Sequence, residues 1–285
     1  MPIKLVFDTC ADLSNKDLPE ADILPIPVYI DGKEYIPFKN LQPEQFFEFQ
    51  KEAKTLPHTS AVPMIDAFNC FKSNIEKGNE VLAIFMGSGH SSTYNVACLA
   101  KNQLVDELGQ EINSRIEIID SQNVTFPYAA LVLEADKLIK EGKLTLKEIA
   151  DRINLLVPKI HMRAYIDDLT YLKMGGRISG VTASLGNLLN FKIVIKTGEN
   201  LIVPTDKLRG LPKTYKCIVD TFKKENVDFS LPIYIGHTND LERAQTLYNL
   251  VVEETGIKPA KIINIGPTVG VHVGPGATGL CWFVK

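Results

Sequence analysis

Short apolar runs bounded by turn residues, each followed by a longer stretch of helical period, set the grammar of the first half of the chain. KLVFDT (4–9), EVLAIFM (80–86) and RIEIID (115–120) predict strands, KLVFDT a buried one, and the shortness and continuous apolarity of EVLAIFM fit a strand covered on both faces, as in a parallel sheet. Apolar residues at three- and four-residue spacing predict helices over PEQFFEFQKEAK, with Pro43 in its first turn, from about Met64 to Lys77, and up to about Leu108. Two more are predicted within SQNVTFPYAALVLEADKLIKEG and LTLKEIADRINLLVPKI. Strand and helix in alternation imply right-handed crossovers and a mostly parallel, doubly wound sheet. ADILPIPVYIDGKEYIPF (21–38) breaks that grammar: two short extended runs flank the turn dipeptide Asp31-Gly32, and Pro25, Pro27 and Pro37 confine them to edge strands or an irregular arm, placed at about 21–54.

Near residue 160 the pattern changes. HMRAYIDD predicts a strand, LTYLKMGGRISGVTASLGNLLN a glycine-rich segment with helical pieces, and FKIVIKTGENLIVPTDKLRG a hairpin turning at Gly198-Glu199-Asn200. A helix over 212–226, a strand over 233–238, a helix from Asp240 to about Glu254, and strands in KIINIG and GLCWFVK complete the chain. The expected architecture is therefore α/β in two domains. Residues 1–160 form an N-terminal Rossmann-like domain with a mostly parallel sheet, and residues 161–285 an α+β domain; a ligand cleft is expected between them.

Composition narrows the function classes. The chain has 285 residues, a net charge of −3 and no dense basic run, which argues against a nucleic-acid footprint. No apolar run approaches the roughly 20 residues a membrane helix needs. MPIKLVFDT goes straight into a strand-like run without the features of a signal peptide, so a cytoplasmic location is expected. Cys10, Cys70, Cys98, Cys217 and Cys281 are scattered, without a C-x-x-C pair, and predict buried free thiols rather than disulfides or a zinc site.

Candidate chemistry sits in four segments. GSGHSSTYN (87–95) joins a predicted strand to a predicted helix, where unpaired N–H groups and a partial positive charge favour anions. Ser91 or Ser92 suits the N-cap, yet Ser91, Ser92 and Thr93 together exceed what one cap requires. The lysine of a phosphate-binding loop is missing, and the glycine spacing is not that of a dinucleotide fingerprint. HTSAVP (58–63) supplies a second hydroxyl pair, Thr59-Ser60, for which plain capping is the commoner explanation. IGPTVGVHVGPGATG (265–279) places His272 among five glycines, where a ring that can donate a hydrogen bond is more than a tight turn needs; a satisfied core histidine is the plainer alternative. YLKMGGRIS (171–179) frees the backbone just before Arg177, suited to a carboxylate or phosphate, or equally to a structural role on backbone carbonyls or on an Asp across the domain interface, with Asp167 and Asp168 near in sequence. Asp8 and Asp120-Ser121 end strands, and either line the same crevice or cap a helix. His58, His90, His161 and His237 lack metal-ligand spacing. Ser91, His272 and Asp120 could compose a hydrolase triad, although GSGHSS is not the G-x-S-x-G elbow.

Taken in order, FDTCADL, the Thr59-Ser60 pair, GSGHSSTYN, IDSQNVTFPYAALVLEA, IDDLTYLKMGGRIS, GHTNDLERA and IGPTVGVHVGPGATGL make the chain resemble, nearly end to end, the DegV family of fatty-acid-binding proteins, to which the FakB proteins belong. The resemblance implies two α/β domains around an apolar tunnel for one long-chain fatty acid. It implies no cofactor and no catalysis of the chain's own, but presentation of the acid to a dihydroxyacetone-kinase-like fatty-acid kinase that makes an acyl phosphate for phospholipid synthesis. On this resemblance the carboxylate is met by Thr59, Ser91 and His272, with Arg177 close by or facing the partner. Ser60, Ser92, Thr93, Gly270 and Val271 are second choices. A monomer with transient contact to a membrane surface is expected. The chain departs from the family pattern at Ala61-Val62-Pro63, at Ser92, where glycine is common, and at Met174, where arginine is common. A serine hydrolase or acyltransferase using Ser91 and His272, and a small-metabolite sensor, are the rival readings.

Overall fold

A computed structural model of the chain describes residues 1–167, 169–178, 191–198 and 201–285. The expectations for Asp168, for helical pieces beyond residue 178 and for the turn at Glu199-Asn200 lie outside the described residues. The first half runs β1 (Ile3–Asp8), β2 (Asp22–Leu24), β3 (Val28–Ile30), β4 (Lys33–Tyr35), α1 (Pro43–Glu52), β5 (His58–Thr59), α2 (Met64–Glu76), β6 (Glu80–Phe85), α3 (Thr93–Leu108), β7 (Ile116–Asp120), α4 (Thr125–Glu141) and α5 (Leu146–Leu156). β8 (Ile160–Ile166), α6 (Thr170–Met174), β9 (Phe191–Thr197), β10 (Ile202–Arg209), α7 (Leu211–Lys224), β11 (Tyr234–His237), α8 (Leu241–Thr255), β12 (Lys261–Asn264), α9 (Pro267–Val273) and β13 (Thr278–Phe283) follow.

β2, β1, β6 and β7 lie side by side in that order, every pair parallel. Val81 to Phe85 are all buried, as a strand covered on both faces requires. The proline-rich arm forms a small antiparallel sheet, β4-β3-β5, turned by Asp31 (φ 47°) and Gly32 (φ 79°), the two left-handed positions of a type I′ hairpin. The second large sheet, β10-β9-β8-β13-β11-β12, is antiparallel except for the β11–β12 pair.

α4 connects these layers. Eleven of its seventeen residues are buried, far more than a one-sided surface helix allows, because it packs both on β1 of the first sheet and on β8, β11 and β13 of the second. One continuous apolar core therefore passes from Phe7 and Phe85 through Phe126 to Met162 and Ile195. A separate core under α7 and α8, built on Tyr165, Phe222 and Trp282, covers the other side of the second sheet. Among the described residues no helix is long and apolar enough to cross a membrane.

The glycine-rich segment after β12 holds one element that periodicity did not predict. Pro267–Val273 is helical, with proline in its first turn, and Gly270 leaves a flat side against which the arm packs. Phe46 and Phe47 of α1 fill that space, and Val271 joins their cluster with Val28 and Leu41. The arm is thus the brace that holds α9 in place.

Candidate functional site

Directly paired residues of a sheet share a face, so the register of the second sheet reads as a row: Ile195, Ala164, Gly279, Gly236, Ile263, from β9 across β8, β13 and β11 to β12. Large residues at the ends and almost no side chain in the middle leave a trough. Over Gly236 the trough is filled by Phe126, from the first turn of α4. Over Ala164 it stays open, as one wall of a cavity of about 150 Å³. One water needs roughly 10–15 Å³ on this measure, so the space is far larger than a packing defect. Its walls come from both halves of the chain: Ile26, Met86 and Val124 on one side, and Met162, Ile166 and Ile195 on the other.

The polar groups of the lining belong to four loops and helix ends. β5 places Thr59, because Thr59 pairs with Val28 of the arm; its hydroxyl lies 3.4 Å from Nε2 of His272, in the last turn of α9. The GSGHSS loop is fixed from below by Asp8, whose buried carboxylate accepts N–H bonds from Met86 and Cys10, 2.9 Å each. Ser91 lines the cavity and accepts the Thr93 N–H at 3.3 Å, so it caps α3; Ser92 stands at the N-cap position without a side-chain capping bond. The Gly175-Gly176 turn presses on the imidazole of His272: a Cβ at Gly175 would stand 2.5 Å from Nδ1. That contact sets the ring and brings Arg177 into the same lining, its guanidinium donating to the Gly175 carbonyl.

Thr59, Ser91, His272 and Arg177 therefore line one cavity, with Ser60 and Ser92 beside them. Three second choices do not line it. Thr93 is fully buried, its hydroxyl accepting the Val62 N–H and meeting Ser91 Oγ, which joins α3 to the loop entering α2. Gly270 and Val271 face the arm: a helix shows only one side to a cavity, and His272, Val269 and Val273 occupy that side. Asp167 does not pair with Arg177; it is taken by Lys192 at 2.5 Å and Arg243 at 2.8 Å. Sequence reasoning passed over His90, a lining residue dismissed for want of metal spacing, and Phe126, whose place is set by a glycine 110 positions away. The first carried a visible signal, a histidine inside the hydroxyl-rich loop itself.

The triad drawn from Ser91, His272 and Asp120 is not assembled. Asp120 Oδ1 accepts the N–H groups of Ser88 and Gln122, 3.0 Å each, and so closes the turn after β7. The neighbouring groups that act on His272 among the described residues are basic, the Arg177 cation first and the His90 imidazole second. Burial first, and those basic neighbours second, push His272 down to about 4, so the ring is neutral at pH 7 and offers hydrogen bonds rather than charge.

A stability prediction follows. A histidine whose folded pKa lies below its unfolded value loses stability as pH falls through the window between them, here from about 6.5 to 4. Burial pushes Asp8 up to about 7, which acts in the opposite sense: its contribution is lost as pH rises from about 4 through 7. The wild-type curve alone mixes the two, so the informative quantity is a difference. Between pH 7 and pH 4, urea denaturation of His272→Gln should shift in the variant's favour by about 2–3 kcal/mol relative to wild type. Parallel curves over that range would refute the buried neutral imidazole.

Comparison with known proteins agrees with this architecture. The DegV family model, described as "Uncharacterised protein, DegV family", matches residues 2–285. A DegV domain-containing protein of Clostridium acetobutylicum is 29% identical over 287 residues, covering 99% of each chain. A Thermus thermophilus DegV family protein whose structure is described as showing fatty acid binding superposes with a TM-score of 0.87, at 25% identity over 100% of both chains. A fatty acid binding DegV family protein of Streptococcus agalactiae gives 0.83 at 28% identity, over 100% of this chain and 99% of the other. A stearic acid-binding protein of Eubacterium ventriosum gives 0.87 at 25% identity, over 99% and 98%. With the family pattern matched from its second residue to its last and the same fold throughout, this chain belongs to the DegV family.

Proposed function

We propose that the chain holds one long-chain fatty acid in the cavity and presents its carboxylate to a partner kinase of the dihydroxyacetone-kinase type. The observation that carries the reading is the cavity itself: an apolar space whose polar lining includes Thr59, Ser91, His272 and Arg177. Each buried methylene is worth about 0.8 kcal/mol, so a 16-carbon tail contributes roughly 10 kcal/mol before the cost of ordering it. The tail then sets affinity and the head group sets orientation. Three neutral donors suit a single carboxylate charge, and Arg177 adds the one formal cation among the described lining residues at neutral pH. In the reaction a carboxylate oxygen attacks the terminal phosphorus of ATP, ADP leaves, and an acyl phosphate forms. On this reading the partner binds ATP, and the GSGHSS loop, which lacks the lysine of a phosphate-binding loop, meets the carboxylate.

Solvent extraction of the purified protein followed by mass spectrometry should return about one fatty acid per chain. Empty protein that is stabilised against heat only by water-soluble metabolites would count against the reading. With a fatty-acid kinase and ATP, hydroxylamine traps the acyl phosphate as a hydroxamate. His272→Ala and Thr59→Ala should lower that yield more than they lower lipid affinity, which falls by no more than about tenfold because each removes one head-group hydrogen bond and no tail contact. Equal and complete loss of lipid in both variants would reverse the division between tail and head.

A further inference from the structure

We propose that His90 is a further head-group ligand, donating a hydrogen bond from Nε2–H to the bound carboxylate. This rests on the fatty-acid reading above and adds a residue to it. His90 is only 7% exposed, it lines the cavity, and its Nε2 is buried without a hydrogen-bond partner among the described residues. An orphaned buried polar atom costs about 1–3 kcal/mol, and an apolar side chain of similar shape would avoid that cost. A residue that only filled space here would be better apolar. The polar ring makes sense where a partner arrives from outside the chain, in the cavity that His90 helps to line.

The surroundings identify that partner's chemistry. Arg177 and Asp120, at the end of β7, act electrostatically on His90, and His90 in turn acts on His272. His90 thus belongs to the same polar cluster as the proposed carboxylate ligands. The loop that carries it is held at both ends, Met86 by Asp8 and the His90 N–H by the Gly87 carbonyl at 2.9 Å. A carboxylate has about four lone-pair sites; Thr59, Ser91 and His272 supply three donors, and His90 supplies a fourth. A fatty alcohol, with one hydroxyl, cannot use all of them, so His90 should favour acids over alcohols of the same length.

The test compares delipidated wild type, His90→Leu and His90→Gln for binding of hexadecanoate and of hexadecan-1-ol, with melting of the ligand-free proteins alongside. His90→Leu should bind hexadecanoate about tenfold more weakly and hexadecanol within about twofold of wild type, while melting no lower without ligand. His90→Gln, which keeps a donor, should recover hexadecanoate to within about threefold. Unchanged hexadecanoate binding in His90→Leu, or equal loss of both ligands, overturns the inference. Should the leucine variant fail to fold, ¹⁵N spectra of histidine-labelled wild type decide, with His90 assigned through the glutamine variant. Its Nε2 resonance should move with hexadecanoate and stay with hexadecanol; no movement overturns the proposal. Wild type that binds neither ligand overturns the fatty-acid reading, and this inference with it.

Discussion

Ala164→Phe is expected to abolish fatty-acid retention while the protein still folds. Ala164 sits mid-strand in β8, pairs with Ile195 on one side and Gly279 on the other, and forms part of the open stretch of the trough. Its side chain and the bare backbone of Gly279 are what keep that stretch open. A phenyl ring grown from this position has the cavity as its free space and takes the volume of roughly four to six methylenes of the ligand, or about 3–5 kcal/mol of tail burial. That is a loss of about 10²- to 10³-fold or more in affinity, enough to empty the purified protein. Folding should survive, since the ring enters a void, at a cost of no more than about 1–3 kcal/mol of local overpacking. Lipid content by mass spectrometry and the thermal melt of the ligand-free protein check both halves. An Ala164→Phe variant that still carries stoichiometric acid would mean the tail runs elsewhere. Because the substitution leaves Thr59, Ser91 and His272 alone, it separates the tail's share from the head group's.

The same row of residues shows what could be seen in the sequence and what could not. β6 was legible because a strand covered on both faces must be a short, unbroken apolar run, here Val81 to Phe85, and turn residues mark its ends; β1 and β7 carry Lys4 and Glu117 and were legible as shorter apolar stretches that precede helical periods. Asp31-Gly32 announced its hairpin because left-handed backbone at both positions restricts the residue types. α9 was hidden: Pro267, Gly270 and Gly274 imitate loop composition, and its apolar residues face two different partners, the arm and the cavity, so no single stripe appears. For the same reason Gly270 and Val271 were grouped with His272, their neighbour in sequence, though they lie on the other side of the helix. The polar residues of the cavity lining were legible where several polar or glycine-rich positions clustered beyond what a cap or turn requires, as with His272 and the hydroxyls of GSGHSS. His90 obeyed that rule too and was missed because only metal binding was asked of it. The trough was not legible at all. Gly236 and Gly279 become neighbours only through strand pairing, and pairing between β11 and β13 is a property of the sheet, not of either segment.

Gly236→Ala should be among the most damaging single substitutions in the second sheet. A Cβ there would stand 2.6 Å from both Cγ and Cε1 of Phe126, and closer still to Cδ1, inside the van der Waals surface of the ring. Phe126 is only 2% exposed and cannot swing to solvent; it is fixed in the first turn of α4, the helix shared by both large sheets. Either the strand moves, against its pairing with Gly279 and Ile263, or the ring moves into the cavity it lines. Overpacking of this kind costs about 1–3 kcal/mol and sometimes more, and so close an approach belongs at the upper end. The ligand should be lost as well, because the space the ring retreats into is the space the tail needs. A double-mutant cycle distinguishes this clash from a general weakness of β11. Phe126→Ala alone should cost about 3–5 kcal/mol by leaving a cavity. Added to Gly236→Ala it should cost less by at least about 1 kcal/mol, since it also removes the atoms that collide. Urea denaturation of the four proteins measures the coupling. Additive losses, or a Gly236→Ala protein within about 0.5 kcal/mol of wild type, would mean that the ring does not rest on this glycine. The outcome bears on function directly, since the contact that closes one end of the trough is also what leaves the other end free for a ligand.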